Sequence, residues 1–564
     1  MTDNVEIVGK MADWNFADVW ETVAATIPDE IAQVHGERSY TWQETDRRAT
    51  GIAALLQGRL QHQDKVAIYL YNVPEYMETA FACMKASLVP VNTNYRYGAE
   101  ELAYLWDDAD IRAVVFDRAF LPVVAAVRRR CPDIDLWIQV DDGMSLCPEW
   151  AVPYEEAAAL PAPPVARSAP AGDGSARSGD GSARSGDGSA RSGDDLILIY
   201  TGGTTGRPKG VMWRQHDLYR VSDTSHDPAT RDLQAVRARV TGARRRPIGL
   251  SAAPLMHGTG FVFAGTIFSR GGTLVHAEGH RFDAAALLDI VSEKRVSALC
   301  IVGEAFARPI ADALDAEPDR WDLSDLGAIS SAGMVWRAET KQRILRHAPD
   351  AILVDLLNSS EASGIGRSIT SSERNGRTGE FRLGANSVVV GPDGRLVGPG
   401  SGVEGRLAVR GHLPLGYYKD PEKTAQAFQE IDGVRYSFPG DMATVDADGS
   451  IRLLGRGSGV INTGGEKVFP EEVEEVLRCD DAVVDVIIVG IPDERMGEVV
   501  AGVVELSGAG GDDVAGVIER ARERLAGYKL PKVLVAVDAV DRAPSGKADY
   551  VAVKRRIQHE LEAS

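Results

Sequence analysis

The sequence has few cysteines, and none of them stands at a spacing that holds a metal or a disulfide framework. Its five cysteines are scattered along 564 residues, with no CxxC pair and no Cys/His cluster. Such pairs are the usual signature of zinc sites and of small disulfide-rich secreted domains. The cysteines are therefore predicted to be reduced thiols.

Long apolar runs are also missing. Among the longest, residues 261–268 span eight positions, whereas a membrane helix needs roughly 20. Residues 1–10 lack the basic start and apolar core of a signal peptide. We expect no integral membrane segment and a cytoplasmic location.

Basic residues are fewer than acidic residues. Lys and Arg number 62 against 82 Asp and Glu, a formal net charge of −20. Nucleic-acid binding depends on basic surface, so a nucleic-acid partner is not expected. An anionic substrate would need positive charge concentrated in its own site.

The first part of the chain alternates short apolar strands with helical patterns. Residues 65–70 and 111–116 are predicted strands, with a helix over 76–86 between them. Further strands are predicted at residues 272–276, 296–302 and 352–356. Alternation of this kind is typical of parallel α/β layers.

From about residue 384 the pattern changes to hairpins. Residues 388–397 and 443–454 each surround an Asp-Gly turn, and residues 455–465 are rich in glycine, which suits a hinge. The predicted fold is α/β. A large domain, residues 1–455, consists of layered α/β subdomains and a small β unit, and a small mobile α+β domain covers residues 456–564.

One segment is a seven-residue repeat. Residues 172–178, Gly-Asp-Gly-Ser-Ala-Arg-Ser, recur at 179–185 and at 186–192. Because no position carries an apolar side chain larger than alanine, the repeat cannot bury a seam. We interpret residues 166–194 as a flexible insert in the large domain.

The most informative stretch follows the apolar residues 196–199. Residues 200–210 contain four glycines, three threonines and two cations. A glycine-rich, hydroxyl-rich loop after a buried strand suits a polyphosphate, because backbone N–H groups can approach the oxygens closely. The Walker A pattern is excluded, since Lys209 stands between Pro208 and Gly210.

This loop resembles that of the adenylate-forming enzymes, the superfamily of acyl-CoA synthetases, adenylation domains and luciferases. The resemblance assigns ATP phosphates to a set of loop residues: Thr201, Gly202, Gly203, Thr204, Thr205, Gly206 and Lys209. Thr205 is also implied to act in catalysis.

Further motifs occur in the family's order. Ser330-Ser-Ala-Gly-Met334 resembles the segment on which the purine lies, which assigns Ser331, Ala332 and Gly333 to ATP. Asn358-Ser-Ser-Glu361 resembles the family's Tyr-Gly-x-Thr-Glu, which implies Ser360 at ATP and Glu361 at Mg²⁺ and in catalysis. Here Leu357 and Asn358 replace the usual tyrosine and glycine.

The ribose and hinge motifs follow. Tyr436-Ser-Phe-Pro-Gly-Asp441 resembles the segment whose aspartate binds ribose, and Arg456 resembles a second ribose ligand. Ser458 stands at the pivot position, where Asp or Lys is usual.

Three segments resemble the parts that handle the acyl group and coenzyme A. Leu255-Met-His-Gly-Thr-Gly260 is similar to the acyl-pocket segment and implies substrate contacts of His257, Gly258 and Thr259. Residues 463–473 resemble the segment that lines the CoA tunnel, which implies that Gly464 and Gly465 border this tunnel. Pro544-Ser-Gly-Lys-Ala548 resembles the catalytic-lysine loop, which implies that Lys547 contacts both ATP and the acid.

The resemblance implies an acyl-CoA synthetase that uses ATP, Mg²⁺ and coenzyme A to activate a hydrophobic small-molecule carboxylic acid through acyl-AMP to acyl-CoA, with release of AMP and pyrophosphate. Within the superfamily the sequence resembles most the actinobacterial enzymes acting on long-chain or steroid side-chain acids. An adenylation enzyme that loads a carrier protein and a non-catalytic nucleotide-binding relative remain alternatives. Monomer and homodimer also stay open.

Overall fold

A computed structural model describes residues 14–141, 147–161, 191–201, 208–222, 232–333, 336–374, 380–456, 461–468, 470–507, 514–540 and 550–563. The described strands are β1 (Ile31–His35), β2 (Arg38–Thr41), β3 (Lys65–Tyr69), β4 (Val89–Asn92), β5 (Ile111–Asp117), β6 (Leu136–Val140), β7 (Val152–Pro153), β8 (Leu196–Thr201), β9 (Lys209–Arg214), β10 (Ile248–Ser251), β11 (Thr273–His276), β12 (Ala298–Ile301), β13 (Ala328–Ala332), β14 (Ile352–Ser359), β15 (Ala362–Thr370), β16 (Glu380–Leu383), β17 (Ser387–Val390), β18 (Gly405–Arg410), β19 (Gly416–Tyr417), β20 (Phe428–Ile431), β21 (Val434–Ser437), β22 (Asp441–Val445), β23 (Ser450–Arg456), β24 (Ile461–Thr463), β25 (Glu466–Val468), β26 (Val483–Asp493), β27 (Gly497–Leu506) and β28 (Val533–Val537).

The described helices are α1 (Phe16–Thr26), α2 (Trp42–Gln57), α3 (Pro74–Lys85), α4 (Ala99–Asp108), α5 (Leu121–Arg128), α6 (Tyr154–Ala158), α7 (Gln215–Ser222), α8 (Leu233–Gly242), α9 (Gly258–Ser269), α10 (Ala284–Glu293), α11 (Gly303–Ala316), α12 (Ala338–His347), α13 (Pro421–Ala427), α14 (Pro470–Arg478), α15 (Val514–Ala521) and α16 (Tyr550–Ala563), with a 3₁₀ turn at Arg118–Phe120.

Two large sheets form the body of the chain. One runs β2-β1-β11-β10-β12-β13-β14-β15-β16-β23-β22-β18-β21-β20, with β17 paired to β18, and the other runs β19-β9-β8-β4-β3-β5-β6-β7. Strands β1, β11, β10, β12, β13 and β14 are mutually parallel, as are β8, β4, β3, β5 and β6. This confirms the predicted α/β fold. Ligands of such sheets bind at the carboxyl ends of the strands. Predicted site residues lie at these ends of β8 and β13.

The predicted β unit is part of the first sheet. The hairpin over residues 443–454 is confirmed by β22 and β23. The hairpin predicted over residues 388–397 is reduced to one bridge between Val390 and Leu396, because β17 pairs instead with β18. Strand β17 thus pairs with β18 over four residues, whereas it meets the return segment at one bridge.

The small domain has its own sheet, β25-β24-β27-β26 with β28 beside β27. Its core packs α14 and α15 on one face, through residues such as Val473, Leu477 and Val517. Helix α15 ends at Ala521 and the chain continues as turns, in which Leu525 is buried.

The end of the repeat is anchored at Arg191. Residues 172–190 lie outside the described residues, but Arg191 is buried. Its guanidinium donates two hydrogen bonds to Glu21, at 2.9 and 2.8 Å. Burial would raise the pKa of Glu21, yet Arg191 and Lys85 hold it at about 2. The third copy therefore fixes the entry to β8.

All five cysteines lie in described residues and are free thiols, with Cys83, Cys131 and Cys300 buried. Burial raises the pKa of the Cys300 thiol to about 12. Among the described helices none is long and apolar enough to cross a bilayer.

Candidate active site

The predicted phosphate loop joins two neighbouring antiparallel strands. Thr201 ends β8 and Lys209 begins β9, and the two residues are direct partners in the register. Gly202, Gly203, Thr204, Thr205 and Gly206 lie outside the described residues, so their predicted contacts stay predictions. The two strands fix both ends of the loop at the carboxyl end of β8.

Lys209 is a half-buried cation. Burial, reinforced by the neighbouring charge of Lys423, lowers the pKa of Lys209 to about 8. A lysine that has lost hydration gains more from an anionic partner than an exposed one does. Lys209 is therefore suited to receive a phosphate oxygen.

Glu361 is at the tip of a tight turn. Ser359 of β14 pairs with Ala362 of β15, so Ser360 and Glu361 form the turn between the two strands. Both turn residues are held by their backbone oxygens. The Trp213 indole N–H donates to Ser360 O at 2.9 Å, and the Ser437 hydroxyl donates to Glu361 O at 2.8 Å.

Tyr417 connects the predicted phosphate and metal residues. Its hydroxyl donates to Glu361 Oε1 at 2.8 Å, and Lys209 Nζ lies 5.3 Å from the centre of its ring. The structure thus brings Lys209 and Glu361 to one place. Sequence reasoning did not assign Tyr417 a role, although the two consecutive tyrosines at 417 and 418 were a signal in the sequence.

The donor set fits magnesium bound together with a nucleotide. Among the described residues no group of three His, Cys, Asp or Glu side chains could hold a metal by itself. Mg²⁺ is commonly bound by one or two carboxylates plus water and substrate phosphates. Glu361, at the tip of its turn and close to Lys209, is a suitable single carboxylate.

The predicted purine segment ends β13. Ser331 Oγ accepts a hydrogen bond from Gly303 N at 2.8 Å, and Gly333 has a φ of +90°, which favours glycine. The departures at 357 and 358 also have structural roles. Leu357 packs against the core that contains Ala362, and Asn358 Oδ1 accepts from Gly364 N at 2.7 Å.

The two predicted ribose residues are cross-strand partners. Asp441 begins β22 opposite Arg456, which ends β23. The structure describes the backbone of Arg456 and not its side chain. The register alone places the two residues on neighbouring strands directly before the predicted hinge, whose residues 457–460 are not described.

His257 meets the small domain. It precedes α9, and its Nε2 lies 3.1 Å from Glu466 Oε1. Glu466 is 5% exposed, and Arg96 Nη1 lies 3.1 Å from the same oxygen. Burial favours the neutral acid, but His257 and Arg96 together lower the pKa of Glu466 below its usual range. Glu466 was not among the predicted site residues.

The glycines before Glu466 are sterically required. Gly464 and Gly465 have φ values of +58° and +88°. A Cβ on Gly465 would lie 2.8 Å from Val302 Cγ1, closer than real Cβ contacts allow. Val302 precedes Gly303, the partner of Ser331, so this hairpin of the small domain reaches the edge of the purine segment.

An apolar cavity adjoins His257. It is lined by side chains that include Ile68, Tyr76, Ile199, Leu255 and Phe261, and by Gly258. Gly258 has open space where a Cβ would be, whereas one on Gly260 would lie 2.4 Å from Pro254 O. The predicted acyl contacts at His257 and Gly258 therefore face an apolar space.

Residues 541–549 lie outside the described residues, so Lys547 stays a prediction. Of the predicted site residues, the structure brings Lys209 together with Glu361. It separately brings His257 together with the hairpin of Gly464 and Gly465.

Comparison with known proteins agrees with this architecture. Residues 20–418 match the model of the AMP-binding enzyme family, and residues 472–547 match that of the AMP-binding enzyme C-terminal domain. The chain belongs to the AMP-binding enzyme family.

Two curated relatives span almost the whole chain. A medium/long-chain-fatty-acid–CoA/3-oxocholest-4-en-26-oate–CoA ligase of Mycolicibacterium smegmatis is 36% identical, over 95% of this chain and 95% of its own length. A 3-oxocholest-4-en-26-oate–CoA ligase of Rhodococcus rhodochrous is 35% identical, over 95% and 94%. Among solved structures, an amide bond synthetase from Marinactinospora thermotolerans covers 97% of this chain and is itself covered completely, with a TM-score of 0.75 at 20% identity. That likeness concerns the fold.

Proposed function

We propose that the protein is an ATP-dependent acid–thiol ligase that converts a hydrophobic carboxylic acid into its acyl-CoA thioester. The observation that carries the proposal is the contact of the Gly464-Gly465-Glu466 hairpin with His257 and Val302, beside an apolar cavity. Membership of the AMP-binding family and the CoA-ligase names of the full-length relatives support it.

In the first step a carboxylate oxygen attacks the α-phosphorus of ATP. The bond from that phosphorus to the bridging oxygen breaks, and pyrophosphate leaves with the electron pair. Thr201 to Gly206 and Lys209 would hold the phosphates, Glu361 a Mg²⁺ ion that offsets their charge, and Asp441 and Arg456 the ribose. Lys547 would stabilise the charge that develops in the transition state.

In the second step the sulfur of coenzyme A attacks the acyl carbon, the acyl–oxygen bond breaks, and AMP leaves. The thiol proton passes to solvent. The glycines at 464 and 465 would let the pantetheine arm pass close to the backbone of the hairpin. We propose that the small domain turns about residues 456–458 between the steps, since the family resemblance assigns Lys547 to adenylation and the hairpin of Gly464 and Gly465 to thioester formation.

The acyl group is proposed to be a long-chain fatty acid or a steroid side-chain acid. The apolar side chains around Gly258 support a hydrophobic acid, and the names of both relatives support these two classes. Because ATP and coenzyme A are intracellular reactants, we place the reaction in the cytoplasm. A homodimer stays a prediction.

The proposal is tested by incubating the protein with Mg²⁺, ATP and a panel of fatty, aromatic and steroid acids, with and without coenzyme A. We expect acid-dependent release of pyrophosphate, and acyl-CoA detected by mass spectrometry when coenzyme A is added. Release of pyrophosphate without acyl-CoA formation, followed by loading of a carrier protein, would favour the carrier-loading alternative. No acid-dependent pyrophosphate in any mixture would contradict the proposal.

A further inference from the structure

Lys529 is buried between carboxylates that belong to different domains. Its ammonium lies 2.8 Å from Glu101 Oε1 in the large domain and 2.6 Å from Glu472 Oε1 in the small domain. The Lys529 side chain is only 3% exposed.

The pairing keeps Lys529 charged. Burial by itself disfavours the ammonium, yet Glu101 and Glu472 raise the pKa of Lys529 above its usual value. The rings of Tyr97 and Tyr528 also lie 5.3 and 5.8 Å from the ammonium. Removing one partner from a buried ion pair is costly, because the other charge is left without compensation.

Glu101 is held in place before the small domain meets it. It stands in the first turn of α4, where its Oε2 accepts a hydrogen bond from Gly98 N at 3.0 Å. The other oxygen, Oε1, is the one that faces Lys529. One carboxylate therefore caps a helix of the large domain and receives a cation of the small domain.

The two partners of Lys529 behave differently if the small domain turns. Glu472 belongs to the same domain, so it would move with Lys529 and keep the ammonium paired. Glu101 would stay with the large domain. The Lys529–Glu101 contact thus exists only in the arrangement seen here, in which Gly465 reaches Val302 and Glu466 reaches His257.

We propose that Glu101 and Lys529 are positioning residues that hold the small domain in the orientation for thioester formation and contribute nothing to adenylation. This inference rests on the proposed two-step function. The pair acts as a latch: it contacts no reacting atom and stabilises one of two orientations of the domain.

The first test separates the two half-reactions in Glu101→Gln, which keeps an oxygen for the Gly98 cap. Acyl-CoA formation from supplied acyl-adenylate should fall about tenfold, since a hydrogen bond between charged groups contributes on that scale. Acid-dependent exchange of pyrophosphate into ATP should stay at the wild-type rate. Glu100→Gln is the matched control, because Glu100 pairs with Arg130 inside the large domain, and it should change neither rate.

A second measurement does not depend on activity. Acetic anhydride labelling followed by mass spectrometry should modify Lys529 slowly in the wild type and several-fold faster in Glu101→Gln. Lys85, buried against Glu21 and Asp46 in the large domain, is the internal reference and should not change.

The latch is overturned if Glu101→Gln leaves both thioester formation and Lys529 labelling unchanged, or if both half-reactions fall equally in a protein that melts like the wild type. If instead the wild type forms no acyl-CoA from any acid, the proposed function fails, and the labelling result still decides whether Glu101 holds the domain.

Discussion

The two sides of the candidate site are built by different means. On the side of the large domain, strand register fixes Thr201 opposite Lys209, and a tight β-turn fixes Glu361. On the side of the small domain, Glu466 and Lys529 reach across by side-chain contacts alone. The first arrangement cannot change without breaking a sheet, whereas the second can separate as a unit. A site with one fixed and one detachable side suits a reaction in two steps.

The largest expected effect concerns Lys547, on the detachable side. Lys547→Ala should lower adenylation by about 10²–10³-fold, the usual scale for removing one group that stabilises transition-state charge. Thioester formation from supplied acyl-adenylate should survive. Pyrophosphate exchange and acyl-CoA formation are measured separately.

Lys554→Ala is the control for that variant, because Lys554 is an exposed lysine of the same domain and should change neither rate. Persistence of both half-reactions in Lys547→Ala would show that this lysine has no catalytic role. Loss of both would show that the two sides of the site are not independent.

A smaller effect is expected where the detachable side meets the fixed one. Gly465→Ala places a Cβ 2.8 Å from Val302 Cγ1 in a backbone with φ +88°. Thioester formation should fall about tenfold, in line with the roughly 1–3 kcal/mol that overpacking costs. Pyrophosphate exchange should change little, since it does not need this contact.

Strain and contact are separated by two further variants. Gly433→Ala carries the same kind of positive φ, +76°, with nothing within 4 Å of the new Cβ, so its thioester rate should stay normal. Adding Val302→Ala to Gly465→Ala should restore part of the lost rate. Without any rescue, the close approach to Val302 would not be what limits the variant.

The fixed side was largely predictable from sequence. The apolar run of residues 196–199 predicted the strand that ends at Thr201, as β8 confirms, whereas β9, which begins at Lys209, was not predicted. The Asp-Gly turn predicted the β22–β23 pair that sets Asp441 opposite Arg456. These features depend on local periodicity and turn chemistry, which neighbouring residues determine.

The detachable side was less predictable, because its contacts join residues far apart in the chain. Glu466 pairs with Arg96, 370 positions away by numbering, and Lys529 pairs with Glu101. Single acidic residues of this kind look like ordinary surface charges in sequence. The burial of Arg191 against Glu21 was not predictable for the same reason. Its seven-residue motif has no apolar side chain larger than alanine, so the sequence gives no sign of a buried contact.

The smallest expected effect is a pH dependence on the fixed side. Lys209 has a pKa of about 8, lowered by burial and by the charge of Lys423. Its ammonium is present below that pH and is lost as pH rises through it. Because kcat/KM reports ionisations of the free enzyme, kcat/KM for ATP in pyrophosphate exchange should decline by a few-fold above pH 8. Exchange is measured without coenzyme A, so the thiol does not titrate in the assay.

Two variants assign that decline to Lys209. Lys209→Arg keeps its charge to much higher pH and should remove the decline, whatever its effect on the absolute rate. Lys423→Gln takes away the neighbouring positive charge and should move the decline to higher pH. The shift should be modest, because burial is the larger cause of the lowered pKa and remains. A decline that keeps its position in both variants would belong to another group. In that case the fixed side would hold its phosphates through the backbone of the 202–206 loop more than through this cation.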